Sequence, residues 1–539
     1  MAIFDKIKEL VLSKIDSEAI SLSSSNSREI QIQAKQEILI KTCELLKNYF
    51  NSLVLYDIIA VDKLKLGNIN IAFSQRRFET IYHLFAIESN IRIFIRIEFN
   101  KNEQIESLSK IFPNSLWYES ELFDFFGIET LDKKNNKRIF THEHFKGYPH
   151  LKDYDLHAFQ ECINPNSAFS IQMHSASNAQ IAENNCFEIG FNHRGIEKIA
   201  ESLAYKKIPF QIERLSFLAS TINTVAYVSS IEKLLEIKVP KRARLIRVLL
   251  MELSRILSHL ACLINCLESL NFKSSIYDLV NLQKKVMTIF KSISSSNYCF
   301  NYIEIGGFSE DIKSESLKMI ALFIKDVEKN SKTLDKSLKN NLLFSKRTKG
   351  VGIADNITCL KYGITGPNLR AASVSYDVRQ NDSYYYSDEI DFSVTTSENG
   401  DVYDRIIQRI EEIRASLKIL KQISENLPEG RIKILSNMII PPDKYKVKYN
   451  IEAMINHFML ITHNLEPKSQ ELYFPIENPN GELGFYIISD GSSKPYRLKI
   501  RSSSFANFQC FTDISKQCLP SDHGLVYHSL GIDTLEMDR

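Results

Sequence analysis

The 539 residues carry 67 Lys and Arg against 65 Asp and Glu, and 44% of the side chains are hydrophobic. The length exceeds what one core supports and implies about two to four domains, while the near-neutral balance offers no basic face for nucleic acid. Nine cysteines without a Cys-x-x-Cys pair fit a reduced, cytosol-facing compartment better than a disulfide framework.

Met1–Ser13 contains Asp5, Lys6, Lys8 and Glu9 and lacks the apolar core of a secretory signal. Ser21–Ser27 reads as a polar break after a short amphipathic start. Gln31–Tyr49 has helical spacing, and Phe78–Phe85 and Ile91–Phe99 read as paired strands. A compact α/β domain is therefore expected from Ile30 to about Glu129. Trp117–Gly127 is an aromatic stripe broken by Glu119, Glu121 and Asp124, which on its residues alone predicts a core edge with a solvated acidic face. Thr130–Asp155, rich in charge and His, reads as an extended arm. Leu156–Phe169, with Asn164-Pro165-Asn166, reads as a linker.

Beyond it, a Gly-x-x-His-Arg-Gly turn at Gly190–Gly195 runs into a helix-period segment that closes on Glu213-Arg214. Pro240 sits where a helix would begin, and Leu245, Ile246, Leu249, Leu253, Ile256, Leu260 and Leu263 follow at helical spacing. Its most apolar part, Ile256–Leu267, is shorter than the roughly 20 residues of a spanning helix and is expected inside the protein. Cys262 and Cys266 on this helix read as two core residues. Further helices are predicted over Ile276–Ser292, Glu315–Lys339, Val402–Leu427 and Asn450–Leu460. Strands return at Leu472–Pro475, Gly484–Ser489 and Tyr496–Arg501. Gly350-Val351-Gly352 lacks the rest of a nucleotide-binding pattern.

Three blocks of the first part, Arg77–Leu84, Trp117–Gly127 and Lys146–Tyr154, resemble in their order the 30-kDa (C) subunit of NADH:quinone oxidoreductase, respiratory complex I. The blocks Gly190–Gly195, Glu213-Arg214, Glu232–Leu235, Ser258–Leu260, Thr365–Arg370, Tyr376–Arg379, Gly481–Gly484 and Pro495–Arg501 resemble its 49-kDa (D) subunit, in the arrangement of the fused C/D subunit of some bacteria. The resemblance implies an α+β chain: an N-terminal α/β domain at residues 1–155, a linker at 156–169, and a helix-bundle-centred domain at 170–539. The last is akin to the large subunit of nickel–iron hydrogenases but without nickel. Soft metals at such a site need thiolates. Here Leu215, Ser216 and Phe217 follow Arg214, and Met537-Asp538-Arg539 stands where a hydrogenase has cysteines. The hydrogenase alternative thus lacks its ligands.

By the same resemblance the chain is a peripheral-arm subunit on the cytoplasmic side of the bacterial inner membrane and binds no cofactor itself. It would pack on the B subunit and contact further peripheral-arm and membrane-arm subunits. A 4Fe–4S cluster on the B subunit would pass electrons to a quinone in a cavity between the two, coupled to proton translocation, while NADH is used by another subunit. Arg214 matches an arginine beside that cluster, its alternative being a structural ion pair with Glu197 or Glu213. Cys299 replaces a His near the cluster. Phe217 falls at the quinone-binding Tyr, and Ser269 at the Asp that orients a His. In the hairpin loop Ile171–Ala179, His174 matches the first His and Asn178 replaces the second, the quinone ligand, whose place His174 can also take. Phenylalanine keeps the ring but cannot donate a proton. This leaves two readings: a working quinone site supplied by other donors, or a scaffold whose site is altered or lost.

Overall fold

The computed structural model describes residues 2–15, 20–26, 28–64, 76–132, 136–155, 187–381, 386, 390–434, 442–462 and 464–539. Strands β1 (Ile20–Asn26), β2 (Glu29–Ala34), β3 (Leu53–Asp62), β4 (Phe78–Ala86) and β5 (Ile91–Phe99) form one sheet in the order β1-β2-β5-β4-β3. It is antiparallel except where β2 lies parallel to β5. β3 is buried along its whole length, the signature of a strand covered on both faces. Helices α1 (Ala2–Lys14), α2 (Leu39–Tyr49) and α3 (Ser115–Phe126) complete this part, with α3 packed on β3.

Three local expectations need correction. The serine-rich segment expected as a break is strand over residues 21–26, where β1 pairs with β2 at the edge of the sheet. Residues 31–34 are strand rather than helix: β2 buries every second side chain, a period of two that a helical window absorbs. The acidic side chains of α3 are not solvated. Glu119, Glu121 and Asp124 are all buried, and each is satisfied: Glu119 by the Leu108 amide, Glu121 by Lys499 and Arg539, and Asp124 by Arg138 and the amides of residues 139–141.

The second part opens with the short helices α4 (Ile196–Ser202) and α5 (Pro209–Ile212), followed by α6 (Ser220–Leu234). Four long helices, α7 (Lys241–Ser269), α8 (Lys273–Ser294), α9 (Ser314–Lys339) and, after four short helices α10–α13 (Leu342–Thr348, Asn356–Tyr362, Pro367–Ala371, Val378–Asn381), α14 (Val402–Glu425), pack as a bundle. Pro240 is the N-cap of α7, and most of the side chains predicted to face inward from it are fully buried. α7 is the one described helix long and apolar enough to cross a membrane, and it is buried in the protein. Cys262 and Cys266 lie in this core, where the Cys262 thiol donates to the His528 carbonyl at 3.0 Å. Helices α15 (Lys444–Tyr449) and α16 (Ile451–Thr462) follow. Strands β8 (Gln470–Asn478), β9 (Gly481–Ser489) and β10 (Arg497–Arg501) form an antiparallel sheet, and a two-residue hairpin, β6 (Ile303–Glu304) and β7 (Gly307–Phe308), lies between α8 and α9. Helices α17 (Ser503–Ile514), α18 (His523–Leu530) and α19 (Thr534–Met537) finish the chain, α18 resting on α7 and α14.

The two sheets share a core. Ile59, Val61, Ile81 and Phe94 of the first cluster with Tyr473, Tyr486, Ile488 and Tyr496 of the second part. Around this contact lie buried ion pairs: Arg92 with Glu482 at 2.9 and 3.1 Å, and Arg539 with Glu121 at 2.6 and 2.7 Å. Burial alone would raise Glu197, but Lys499, Arg497 and Arg539 outweigh it and hold the carboxyl below its usual range. Such pairs register the halves strongly, because removing one member leaves an uncompensated buried charge costing about 3–5 kcal/mol. The domain boundaries expected at 155 and 170, and the linker between them, border or lie within residues 156–186, outside the described residues.

Candidate functional site

The segment from Gly190 to Phe217 meets two other stretches, the loop after α8 and the closing residues 533–539. Gly190 has φ +99°, and a Cβ there would lie 2.4 Å from the Phe140 carbonyl oxygen, so the turn requires glycine. Asp538 caps this turn, accepting from the Gly190 amide at 3.0 Å and the Asn192 amide at 2.8 Å. His193 donates through Nδ1 to the Asp538 carbonyl at 2.7 Å and stacks on Phe125 at 5.0 Å. Arg194 reaches both ways, donating to the Arg214 carbonyl at 2.8 Å and the Leu535 carbonyl at 3.4 Å. Ser216 donates to Asp533, whose carboxyl burial raises above its usual range. The Arg214 turn is thus clamped from behind by the closing segment.

Its front is open. Arg214 is exposed and donates to the Phe210 carbonyl on its own turn, with the guanidinium 5.7 Å from the Phe300 ring centroid. Among the described residues no carboxylate lies within ion-pair distance of it. Glu197 is taken by Arg497 and Arg539, and the Glu213 carboxylate accepts the Asn301 amide at 2.8 Å. Neither carboxylate is in ion-pair contact with Arg214, although against the stronger effect of burial, which raises the Glu213 carboxyl, the guanidinium lowers it electrostatically. Phe217 is 42% exposed, and its ring meets Tyr298 at 6.0 Å and Phe300 at 6.2 Å, while Tyr298 and Phe300 are 5.9 Å apart. The result is an aromatic triad, with Phe217 exposed and Tyr298 and Phe300 half-buried, and a cation beside it.

The loop that supplies Tyr298 and Phe300 is held in an unusual shape. Ser295, Cys299 and Asn301 all have left-handed backbones, at φ +60°, +60° and +56°, which costs about 1–2 kcal/mol for a residue such as Cys. Ser220 donating to the Tyr298 carbonyl at 2.6 Å and Glu213 accepting from Asn301 hold it there. Non-glycine residues in this region persist where surroundings over-determine them, often at functional sites. Cys299 itself turns inward, and burial pushes its thiol up to about 12, so it is a neutral packing group.

Of the residues predicted for the site, Arg214 and Phe217 come together, and Cys299 lies behind them. Ser269 stands apart, exposed at the end of α7, with its hydroxyl donating to the Asn265 carbonyl at 3.0 Å. His174 and Asn178 lie outside the described residues. Tyr298 belongs to this aromatic cluster, and the sequence does not reveal it. Its phenol is brought to Phe217 by a loop whose path depends on left-handed residues, and no local pattern signals that.

Comparison with known proteins gives two family matches. The respiratory-chain NADH dehydrogenase 49 Kd subunit family matches residues 273–539, and the respiratory-chain NADH dehydrogenase 30 Kd subunit family matches residues 32–160. The C/D subunit of the NADH-quinone oxidoreductase of Bdellovibrio bacteriovorus is 32% identical over 497 residues, spanning 86% of this chain and 88% of that protein. The C/D subunit of the Proteus mirabilis enzyme is 28% identical over 578 residues, with 99% and 96% covered. The D 2 subunit of the NADH-quinone oxidoreductase of Rhizobium meliloti is 36% identical over 352 residues, covering 65% of this chain and 87% of its own.

Proposed function

This chain belongs to the fused C/D subunits of NADH-quinone oxidoreductase, and from that premise we propose that its Arg214–Phe217–Tyr298 face forms one wall of the quinone site. The opposite wall belongs to the B subunit, which carries the terminal 4Fe–4S cluster at the cytoplasmic side of the inner membrane. The observation that carries this reading is the exposed guanidinium of Arg214, with no carboxylate at ion-pair distance among the described residues, beside an aromatic triad in which Phe217 is exposed and Tyr298 and Phe300 are half-buried, all clamped from behind. A fixed positive charge stabilises the reduced form of a nearby cluster and raises its potential. Flat aromatic rings suit a quinone ring by stacking.

Quinone reduction also takes up protons, so the wall needs a hydroxyl or imidazole within reach of the carbonyl oxygens. Phe217 has none, and the Ser269 hydroxyl is turned into its own helix. The phenol of Tyr298, against the Phe217 ring, is the donor this wall offers. It replaces within the same triad the hydroxyl that Phe217 lacks. His174 and Asn178 remain candidates for the facing loop, and proton translocation belongs to the same proposal.

The test is inhibitor-sensitive NADH:quinone turnover by the assembled complex. Tyr298→Phe is expected to lower it by about 100-fold, the lower end for a general acid, and Phe217→Tyr in the same chain to restore much of it. Full turnover by Tyr298→Phe would remove Tyr298 from the reaction. The second reading, a scaffold with an altered or lost site, is favoured by the missing hydroxyl of Phe217. It predicts no inhibitor-sensitive turnover in the wild type and none gained by Tyr298→Phe.

A further inference from the structure

Helix α16 is built back to front. Ile451, Met454, Ile455, Phe458 and Ile461 recur at the i, i+3, i+4, i+7 spacing of an amphipathic helix, yet they are 70, 51, 53, 63 and 63% exposed. The side turned into the protein is narrow, Ala453 and Leu460 being its buried residues. The helix is well formed. Asn450 caps it by accepting the Glu452 amide at 2.8 Å, and Asp443 caps α15 by accepting the Tyr445 amide at 2.7 Å. On α15 the rings of Tyr445 and Tyr449 meet in a tilted pair at 4.7 Å and are 71 and 74% exposed. Together with Met459 these side chains expose an apolar area on the order of 1,000 Å², well beyond the ~300–600 Å² patch of an ordinary monomer and near the ~800 Å² per partner of a stable interface.

We infer that the outward stripe of α16, with the tyrosines of α15, docks in an apolar groove with an acidic rim on another subunit of the same oxidoreductase. The rim follows from charge. Lys444, Lys446 and Lys448 are exposed on α15 beside the stripe, and among the described residues none of them forms an ion pair. The choice of protein over lipid follows from residue types. A helix that lies in a membrane interface carries Lys or Arg along its own polar face, and α16 has no Lys or Arg, Glu452 being its charged residue. Met, Phe and Tyr over an apolar stripe are the composition of a buried interface centre, and an amphipathic helix laid into a groove is a standard way to build one. This surface shares no residue with the Arg214 face, and the inference stands or falls without it.

The test places a photo-crosslinking benzoylphenylalanine at Phe458, and separately at Ile455, in the full chain within cells that assemble the complex. The expected adduct, identified by mass spectrometry, joins this chain to one other subunit of the oxidoreductase at an acidic segment. In parallel, Ile455→Asp with Phe458→Asp is expected to reduce the co-purifying partner subunits at least tenfold, while the thermal unfolding of the chain itself stays unchanged. Lys444→Glu with Lys448→Glu should release the partner at lower salt than the wild type. Adducts to lipid, to a second copy of this chain or to nothing overturn the inference, as does full assembly of the double aspartate variant. Should the aspartate variant unfold, the crosslinks on the otherwise native chain still decide.

Discussion

Glu121 lies on a helix of the first part, yet the structure predicts that its charge holds the turn around Gly190. Its carboxylate takes Arg539 at 2.6 and 2.7 Å and also Lys499. In Glu121→Gln those cations keep only Glu197, 3.2 Å from Arg539 and 3.9 Å from Lys499, and Asp57, 3.8 Å from Lys499. Unbalancing such a buried group costs about 3–5 kcal/mol. Relief is easiest through Arg539, which needs only residues 533–539 to lift. Asp538 goes with it and releases the amides of Gly190 and Asn192. If about 3 kcal/mol is lost from the free energy of that opening, protection falls by about 100-fold, at tenfold per 1.36 kcal/mol. Hydrogen exchange on the full chain reads both amides directly. Glu119→Gln is the control, because Glu119, on the same helix as Glu121, accepts from the Leu108 amide and the Ser107 hydroxyl in the loop before it. Unchanged protection in Glu121→Gln, or an equal loss in Glu119→Gln, refutes the coupling.

Arg214→Gln should lower the midpoint potential of the terminal cluster in the assembled complex by about 60 mV, a tenfold shift for one electron; an unchanged EPR titration would take Arg214 away from the cluster. His259 tests the core of the bundle. It lies between Glu412, 3.0 Å from Nε2, and Arg409, 3.2 Å from Nδ1, so Nε2 carries the proton. Burial, only partly offset by Glu412, lowers its pKa to about 4. The unfolded chain takes up this proton near pH 6.5 and the folded chain only near 4, so stability present above 6.5 is lost as pH falls across that window, by ~3 kcal/mol. His259→Gln should flatten this part of the acid limb in denaturant melts between pH 7 and 4.5, and coincident slopes would show that the folded chain protonates His259 as readily as the unfolded one.

What could be read from the residues follows a physical line. Period and punctuation located α7, α8, α9, α14 and the paired strands, since those signals are local. The acidic face of α3 looks solvated in the sequence because the groups that neutralise it are remote: Lys499 lies 378 positions from Glu121, and Arg539 lies 418. An acidic residue that will be buried looks in sequence like one that will be solvated. The site divides in the same way. Arg214 and Phe217 are singled out by the family resemblance of the Gly190–Phe217 stretch, whereas Tyr298 reaches them through backbone angles at Cys299 and Asn301 that no neighbouring residue announces.

The inverted face of α16 extends the same physical rule. Apolar periodicity reports that a stripe will be buried, but not by which chain. For α7 the covering atoms are in the same polypeptide, so the stripe points inward and the prediction closes on itself. For α16 the stripe faces out, and for the Arg214 face both the cation and the Phe217 ring do the same. In a member of a multi-subunit oxidoreductase, such residues satisfy the same energetic rule across a boundary. Exposed residues with core chemistry are therefore the most direct record in this chain of where its neighbours sit. On the two proposals made above, the faces differ in the neighbour they call for: α16 calls for an apolar groove, and Arg214 with Phe217 and Tyr298 calls for a wall that closes a cavity around a quinone ring.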